Sequence, residues 1–439
     1  MNSLLSIARQ SAWNRRSTLV WVVVSLALAT ALLWTLERLR HDIRSSFSQS
    51  VSGVDLIVGA RSSPVQLMLF SVFHIGSVPQ GMSMDSVRAL SQHRSVSWVV
   101  PLSLGDSHRG YAVLGTTPAY FQHFAYGDKQ PLALQQGAVF AGTLDGLYEA
   151  VIGSEVARKM GYTLGQSITF GHGMDDHDHG HTHGHSHAPA SPATPHHDDK
   201  PFKVVGILAP TGTPVDRTVH VSLQALEALH LEWVAGAPMP GGQIPADQVR
   251  KFNLEPQAVT AALVGLKTRA AVFNVQRFVN AYEAEALMGV MPGVALGELW
   301  ALLGVGENAL LAVSALVALV SVVSLMAVVL AGLNERRREL AVLRAVGAGP
   351  RHVLGLLTLE GFWVTCAGVV LGVLLAQSGM ALGTPWLQQE LGIRLQMSAP
   401  LPTQWALLAA VLLAGLLASL GPAWRAYRWS LADGLSPRV

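Results

Sequence analysis

The chain has 439 residues, 50% apolar and only 13% charged, with a formal net charge of +2 and a mean hydropathy of +0.36. A soluble domain carries about 25% charged residues, so the composition argues against a wholly soluble enzyme. It also excludes disorder over most of the chain, which needs low hydrophobicity and high charge. The net charge is too small to indicate a nucleic-acid binder. The single cysteine, Cys366, rules out an intramolecular disulfide framework and a multi-cysteine metal site.

The apolar residues are unevenly spread, which points to a membrane protein with a large soluble insert. A spanning helix needs about 20 mostly apolar residues. Residues 1–16 form a short basic start, and Ser17 to Leu36 contains no charged residue, giving a first span at 17–36. Ala27-Leu28-Ala29 resembles a signal-peptide cleavage site. The apolar run continues past it through Ala31-Leu32-Leu33-Trp34, so an uncleaved anchor is the better reading.

Residues 37–307 are mixed in pattern and predict an α+β domain inserted between the first two spans. Val54–Val58, Ser97–Val100, Tyr111–Leu114 and Lys203–Leu208 read as strands. Met84–Gln92, Ser154–Met160 and Leu223–Leu229 read as helices. A low-complexity stretch at 175–199 carries His177, His179, His181, His183, His185 and His187 at alternate positions. It separates Gln166–Phe170 from the strand at 203–208, and those two segments are expected to pair as a hairpin with the histidine tract as its loop.

Three more spans follow. Asn308 to Asn334 is uncharged (span 308–333), 353–378 is apolar except for Glu360, and 402–424 is uncharged. The intervening segments are 334–352, 379–401 and the tail 425–439. The flanks set the orientation. Arg9, Arg15 and Arg16 precede the first span, Arg336, Arg337, Arg338, Arg344 and Arg351 lie between the second and third, and Arg425, Arg428 and Arg438 follow the fourth. By the positive-inside rule these three segments face the cytoplasm. The inserted domain and the loop 379–401 then lie outside, where all six lysines also fall.

No catalytic constellation is apparent. Gly265-Leu266-Lys267-Thr268 has the wrong order for a phosphate-binding GxxxxGK[ST] loop, and there is no convincing GxSxG elbow or HExxH pair. Any work the protein performs then draws its energy from a partner. The segment Glu335-Arg336-Arg337-Arg338-Glu339-Leu340-Ala341-Val342-Leu343-Arg344-Ala345-Val346 is built of helix formers, with Leu340, Leu343 and Val346 on one apolar stripe. Gly347, Gly349 and Pro350 then stop it. A stop-transfer cluster accounts for the arginines. A short docking helix accounts for the arginines, the stripe and the abrupt end.

This segment resembles the loop between the second and third spans of FtsX/MacB/LolC-type ABC transporter permeases. Ser6-Ile7-Ala8-Arg9 with Arg15-Arg16, Pro422-Ala423-Trp424-Arg425-Ala426, Ser430–Leu435 and, more loosely, Asp55–Ala60 are also similar to that family. The histidine tract departs from its general pattern. The resemblance implies a non-catalytic permease subunit with four spans and a large extracytoplasmic MacB-like domain, in a bacterial inner membrane with both termini cytoplasmic. It implies that Glu335, Arg336, Arg337, Arg338, Glu339, Leu340, Leu343, Arg344 and Val346 dock on a separate cytoplasmic ABC ATPase dimer, where ATP binds. A second permease copy, identical or not, and a periplasmic partner protein are further expectations. The work would be mechanotransmission, serving export or extraction of a substrate. The alternatives are an ATPase-driven regulator of an extracytoplasmic enzyme and a membrane-anchored metal-binding protein.

Three further features carry their own chemistry. Glu360 lies roughly two turns into the third span, ~10 Å by helical rise, where a carboxylate costs about 2.5–3.5 kcal/mol. It is expected either to pair with Arg15 or Arg16 or to reach the interface. Gly368 and Gly372 form a GxxxG pair that serves either a dimer interface or packing within the chain. The six alternate histidines are expected to bind Zn²⁺ or another divalent transition metal with little selectivity and to release it in acid.

Overall fold

A computed structural model describes residues 16–76, 81–172, 200–231, 233–234, 237–238, 244–246, 248–335, 349–391 and 399–427. The chain divides into a membrane unit (residues 1–43, 303–388 and 395–439) and an inserted unit (residues 44–302 and 389–394).

Among the described residues, four helices are long and apolar enough to cross a membrane: M1 (Arg16–Gln49), M2 (Pro292–Glu335), M3 (Pro350–Leu391) and M4 (Pro402–Tyr427). Three of them open on proline, whose fixed φ and missing N–H suit the first helical position. M1, M2 and M3 outrun the apolar runs that mark them in the sequence, and M3 stays helical through much of the expected loop 379–401. Loss of hydropathy ends a span but leaves the intrahelical hydrogen bonds intact, so the helix continues.

Within the membrane unit the helices meet on small residues. A Cβ on Gly368 would fall 2.7 Å from Leu26 Cβ, and one on Gly372 would fall 2.6 Å from the Ala27 carbonyl oxygen and 2.7 Å from Thr30 Cβ. The GxxxG pair therefore seats M3 against M1 of the same chain. Gly361 against Ser419 and Gly415 against Thr365 join M3 to M4 in the same way. Buried polar groups find partners in the bundle. Ser25 Oγ lies 2.9 Å from Ser321 Oγ, Thr30 donates to the Leu26 carbonyl at 2.8 Å, and Gln404 donates to the Trp34 carbonyl at 3.2 Å. Arg38 and Asp42, both buried, form an ion pair at 3.1 Å, and Arg38 also donates to the Ala399 carbonyl. Arg40 reaches Glu307 at 2.8 Å.

The inserted unit is built on an 11-stranded mixed sheet: β1 (Leu56–Ala60), β2 (Val96–His108), β3 (Tyr111–Thr116), β4 (Leu134–Gly137), β5 (Glu149–Ile152), β6 (Ser167–Ile168), β7 (Gly171–His172), β8 (Phe202–Leu208), β9 (Thr218–Ser222), β10 (Ala261–Leu266) and β11 (Leu287–Val290). The order is β11-β1-β10-β2-β3-β9-β5-β8-β4, with β7 beside β2 and β6 beside β8. Among the described residues, only β3–β9 and β5–β8 pair in parallel. Helices α1 (Pro64–Phe73), α2 (Met84–Ser91), α3 (Ala119–His123), α4 (Ser154–Met160), α5 (Leu223–His230) and α6 (Val272–Asn280) accompany it. Ser83 and Ser222 cap α2 and α5 by accepting from backbone N–H groups. The outer edge of β11 is blunted by α6. Gln276 donates to the Gly289 carbonyl and Asn280 accepts from the Gly289 N–H, which closes the edge to further pairing.

The expected strands and helices are present, with the first strand shifted to Leu56–Ala60. The expected hairpin also forms, with Phe202 opposite Ile168 and Lys203 opposite Ser167. The chain then changes partner, and His172 lies opposite Asp106 on β2. Four apolar helices with an inserted mixed-sheet domain are the class the sequence predicts.

Candidate functional site

The sites expected from sequence divide into those the structure describes and those it does not. Glu335 is the last residue of M2. Arg336, Arg337, Arg338, Glu339, Leu340, Leu343, Arg344 and Val346 lie outside the described residues, in the segment that joins M2 to M3. M3 then restarts at Pro350, where the sequence predicts a break. Glu360 is half-buried on M3 and engaged with a partner. Arg15 lies outside the described residues and Arg16 opens M1. His177, His179, His181, His183, His185 and His187 also lie outside the described residues, in a segment that leaves β7 and re-enters the fold at Lys200, itself 1% exposed.

What hydropathy did not reveal is how the ends of M1 and M2 are used. Inside the inserted unit, Phe47 of M1 stacks on Phe73 at 4.4 Å between ring centroids and meets Trp300 of M2 edge-on at 5.6 Å. Arg44 lies over the Trp300 ring at 5.4 Å. Ala295 and Leu296 of M2 are buried in the same core cluster. Aromatic pairs of this kind contribute about 0.5–1.5 kcal/mol beyond their burial. The last turn of M1 and the first turns of M2 are thus core elements of the inserted domain.

Beside Phe47 and Phe73 lies a cleft of about 400 Å³, lined also by His74, Tyr111 and Arg217. His74 ends α1 in the left-handed region at φ 55°, a position that favours glycine, and its Nδ1 lies 3.2 Å from Thr218 Oγ1. Burial holds its pKa down, at about 4. His220 on β9 is completely buried. Its Nδ1 is 3.3 Å from the Val151 carbonyl, and its Nε2 has no hydrogen-bond partner among the described residues. Burial first, then the nearby His74, lowers its pKa to about 3. Burial likewise pushes the Tyr120 hydroxyl up.

His230 behaves differently. Burial opposes its charge, but a hydrogen bond and the charge of Asp106, 3.4 Å away, outweigh this and raise its pKa. Asp106 is the residue opposite His172, where the chain leaves for the histidine tract. Hydropathy and spacing give no signal for any of these three histidines, because each depends on strands distant in sequence. Among the described residues, no group of three or more His, Cys, Asp or Glu side chains is placed to hold a metal ion.

Two family models match the chain. The MacB-like periplasmic core domain matches residues 18–246 and the FtsX-like permease C-terminal domain matches residues 311–431. A comparison with curated proteins gives no match. Among solved structures, the periplasmic region of MacB from Actinobacillus actinomycetemcomitans is similar at 10% identity with a TM-score of 0.33, over 58% of this chain and 97% of that one. The extracellular domain of the noncanonic ABC-type transporter YknZ from Gram-positive bacteria is similar at 14% identity with a TM-score of 0.28, over 54% of this chain and 98% of that one. The first family model covers M1 and most of the inserted domain, more than half of the chain, and the second covers the spans that follow. The chain therefore belongs to the FtsX/MacB-type family of ABC permeases.

Proposed function

We propose that this chain is the permease subunit of an ABC transporter and works by mechanotransmission. A separate cytoplasmic ATPase dimer hydrolyses ATP, and its closing moves the spans and the inserted domain. That motion serves export or extraction of a substrate. The segment from Glu335 to Val346 is the docking element. Leu340, Leu343 and Val346 enter an apolar groove of the ATPase, while Arg336, Arg337, Arg338 and Arg344 face its acids. A second permease copy completes the assembly, and a periplasmic protein is a further partner. The arginine distribution supports a topology with both termini in the cytoplasm and the inserted domain in the periplasm.

The observation that carries this reading is the continuity of M1 and M2. Each is a single helix from its apolar run to the residues that pack as core of the inserted domain, Phe47 and Trp300. A helix hydrogen-bonded along its whole length passes on displacement that a flexible linker would absorb. The test is co-purification. Leu340→Asp together with Leu343→Asp should abolish association with the ATPase while membrane insertion is unchanged. Association at the wild-type level would refute the docking assignment.

The tract His177, His179, His181, His183, His185 and His187 favours a second property. We propose that it binds Zn²⁺ or a similar divalent ion through neutral imidazoles. Alternate spacing supplies more nitrogens than the four that complete a zinc site, so no single histidine is indispensable.

A further inference from the structure

Among the four spans, M2 is the least covered by its own chain. The face that carries Ser314, Ser321 and Leu325 is buried, and Ser321 meets Ser25 of M1. The opposite face carries Val305, Ala309, Val313, Leu316, Val320 and Val323 at steps of three and four residues, and all six are exposed. Such steps make one stripe along a helix, and this stripe holds no charge.

Exposure inside the hydrocarbon alone decides nothing, because lipid tails cover an apolar side chain as well as a neighbouring helix does. The outer end of the stripe is different. M1 and M2 run antiparallel, and two ties set their register: Ser25 with Ser321 at 2.9 Å and Arg40 with Glu307 at 2.8 Å. Leu36, the last residue of the uncharged run on M1, is then level with about Leu310 on M2. At 1.5 Å per residue, Val305 stands ~8 Å and Leu303 ~11 Å beyond that level. The headgroup layer is only about 5–7 Å deep on each side of a hydrocarbon core of about 30 Å. Yet Val305 is 77% exposed and Leu303 49%. At the same height M1 has turned charged, with Glu37, Arg38, Arg40 and Asp42. Apolar surface left in water at the end of a spanning face marks a protein contact. The partner must be apolar both within the bilayer and just beyond it.

M2 of a second copy meets that description. Two copies inserted the same way present parallel M2 helices about a two-fold axis along the membrane normal, so each stripe residue faces its own counterpart. A stripe of Ala, Val and Leu suits that self-pairing, whereas any charge on it would face a like charge. Steps of three and four also suit the left-handed crossing, near +20°, that is common among spanning helices. Seven residues beyond Val305 the stripe reaches Glu298, where like charges would meet, so the contact ends before it.

We propose that the M2 stripe from Val305 to Val323 is the surface on which two copies of this chain pair. The proposal rests on the reading that a second permease copy completes the assembly, and it names the face that copy uses. It is independent of the ATPase.

Single cysteines in the full chain carrying Cys366→Ala, oxidised with copper phenanthroline in the membranes of the producing cells, test it. Each stripe position is set beside one of similar depth on another face: Val305→Cys with Gly304→Cys, Leu316→Cys with Ala318→Cys, and Val323→Cys with Val322→Cys. A disulfide-linked band of twice the chain mass should form at least fivefold more from the stripe positions. Three separate positions keep the test intact where one variant fails to insert. Light scattering of the Cys366→Ala chain in neutral detergent counts the copies independently. A two-copy particle whose stripe cysteines cross-link no better than their neighbours would overturn the proposed face and leave the second-copy reading standing. A one-copy particle with no cross-linking would overturn both. Stripe-specific cross-linking in the membrane supports the face even where detergent separates the pair. A cross-linked band of another mass would show that a different protein covers the stripe, and would overturn the proposal.

Discussion

Acid should loosen the inserted domain through two histidines that its core keeps neutral. His220 is fully buried with a pKa of about 3, and His74 beside it has a pKa of about 4. An exposed histidine in the unfolded chain titrates near 6.5. Both folded values lie below the unfolded one, so the stabilisation is present above about pH 6.5 and is lost as pH falls toward the folded values. At pH 5 an unfolded histidine is almost wholly protonated while both buried rings are still neutral. The loss relative to neutral pH is then about 2 kcal/mol for each ring. Any folded pKa below about 4.5 gives nearly the same figure, because the unfolded state sets it. His230 works in the opposite sense. Its raised pKa makes its contribution complete below the unfolded value and lost as pH rises through the folded one.

The clean measurement is therefore a difference between proteins. His220→Leu keeps an apolar core of similar volume and removes one titrating ring. Thermal melting of the full chain in neutral detergent at pH 7.5 and pH 5.0, followed by tryptophan fluorescence, gives the acid-induced drop in Tm for each protein. For a domain of this size 2 kcal/mol corresponds to about 4–8 °C. The drop should be smaller in His220→Leu than in the wild type by that amount. Equal drops in both proteins would refute the assignment of His220 as a neutral buried ring, whatever the variant does to Tm at neutral pH.

Two other outcomes are expected. Gly372→Leu places side-chain atoms where the Ala27 carbonyl and Thr30 already sit. Overpacking of this kind costs about 1–3 kcal/mol, read as lowered thermal stability in detergent, whereas Gly379→Leu, with open space around it, should be neutral. Deleting 175–199 should abolish calorimetric Zn²⁺ binding by the full chain without altering its melting, since the tract lacks the apolar residues to add to a core. Binding by the intact chain should weaken at pH 5.5, where imidazoles protonate.

The spans were legible because twenty uncharged residues have few alternatives to a membrane helix, and α4 at Ser154–Met160 because charged and apolar residues alternate at helical period. The strand at Phe202–Leu208 was legible as a β-branched run. Hydropathy said little about where the helices end. Phe47 and Trp300 fall outside the apolar runs, yet both lie on helices that continue into the inserted domain. The GxxxG pair was ambiguous in sequence because close approach looks the same whether the partner helix is in the same chain or another. Leu26, Ala27 and Thr30 resolve it here. The cleft and the His74–His220 pair were not legible at all. They are assembled from the end of α1, from β3 and from β9, of which the first and last are more than a hundred residues apart, and no local pattern records such an encounter.

The contacts within each unit also constrain how a mechanotransmitting permease of this kind would move. M1 and M2 are tied to each other twice. In the membrane unit the ties are the Ser25–Ser321 hydrogen bond and the Arg40–Glu307 ion pair, and in the inserted unit they are the Phe47–Trp300 contact and Arg44 over the same ring. The polar ties are individually weak, about 0.6 kcal/mol for a hydrogen bond between spans and up to ~1 kcal/mol for a partly exposed ion pair. Parting the two helices would break ties in both units, the aromatic contact among them. The seams between M1 and M3 and between M3 and M4 are closely packed at Gly368, Gly372, Gly361 and Gly415, where an added Cβ would meet the facing helix at 2.4–2.7 Å. In the proposed mechanism the membrane bundle therefore moves as a body, and M1 and M2 carry its displacement as a pair.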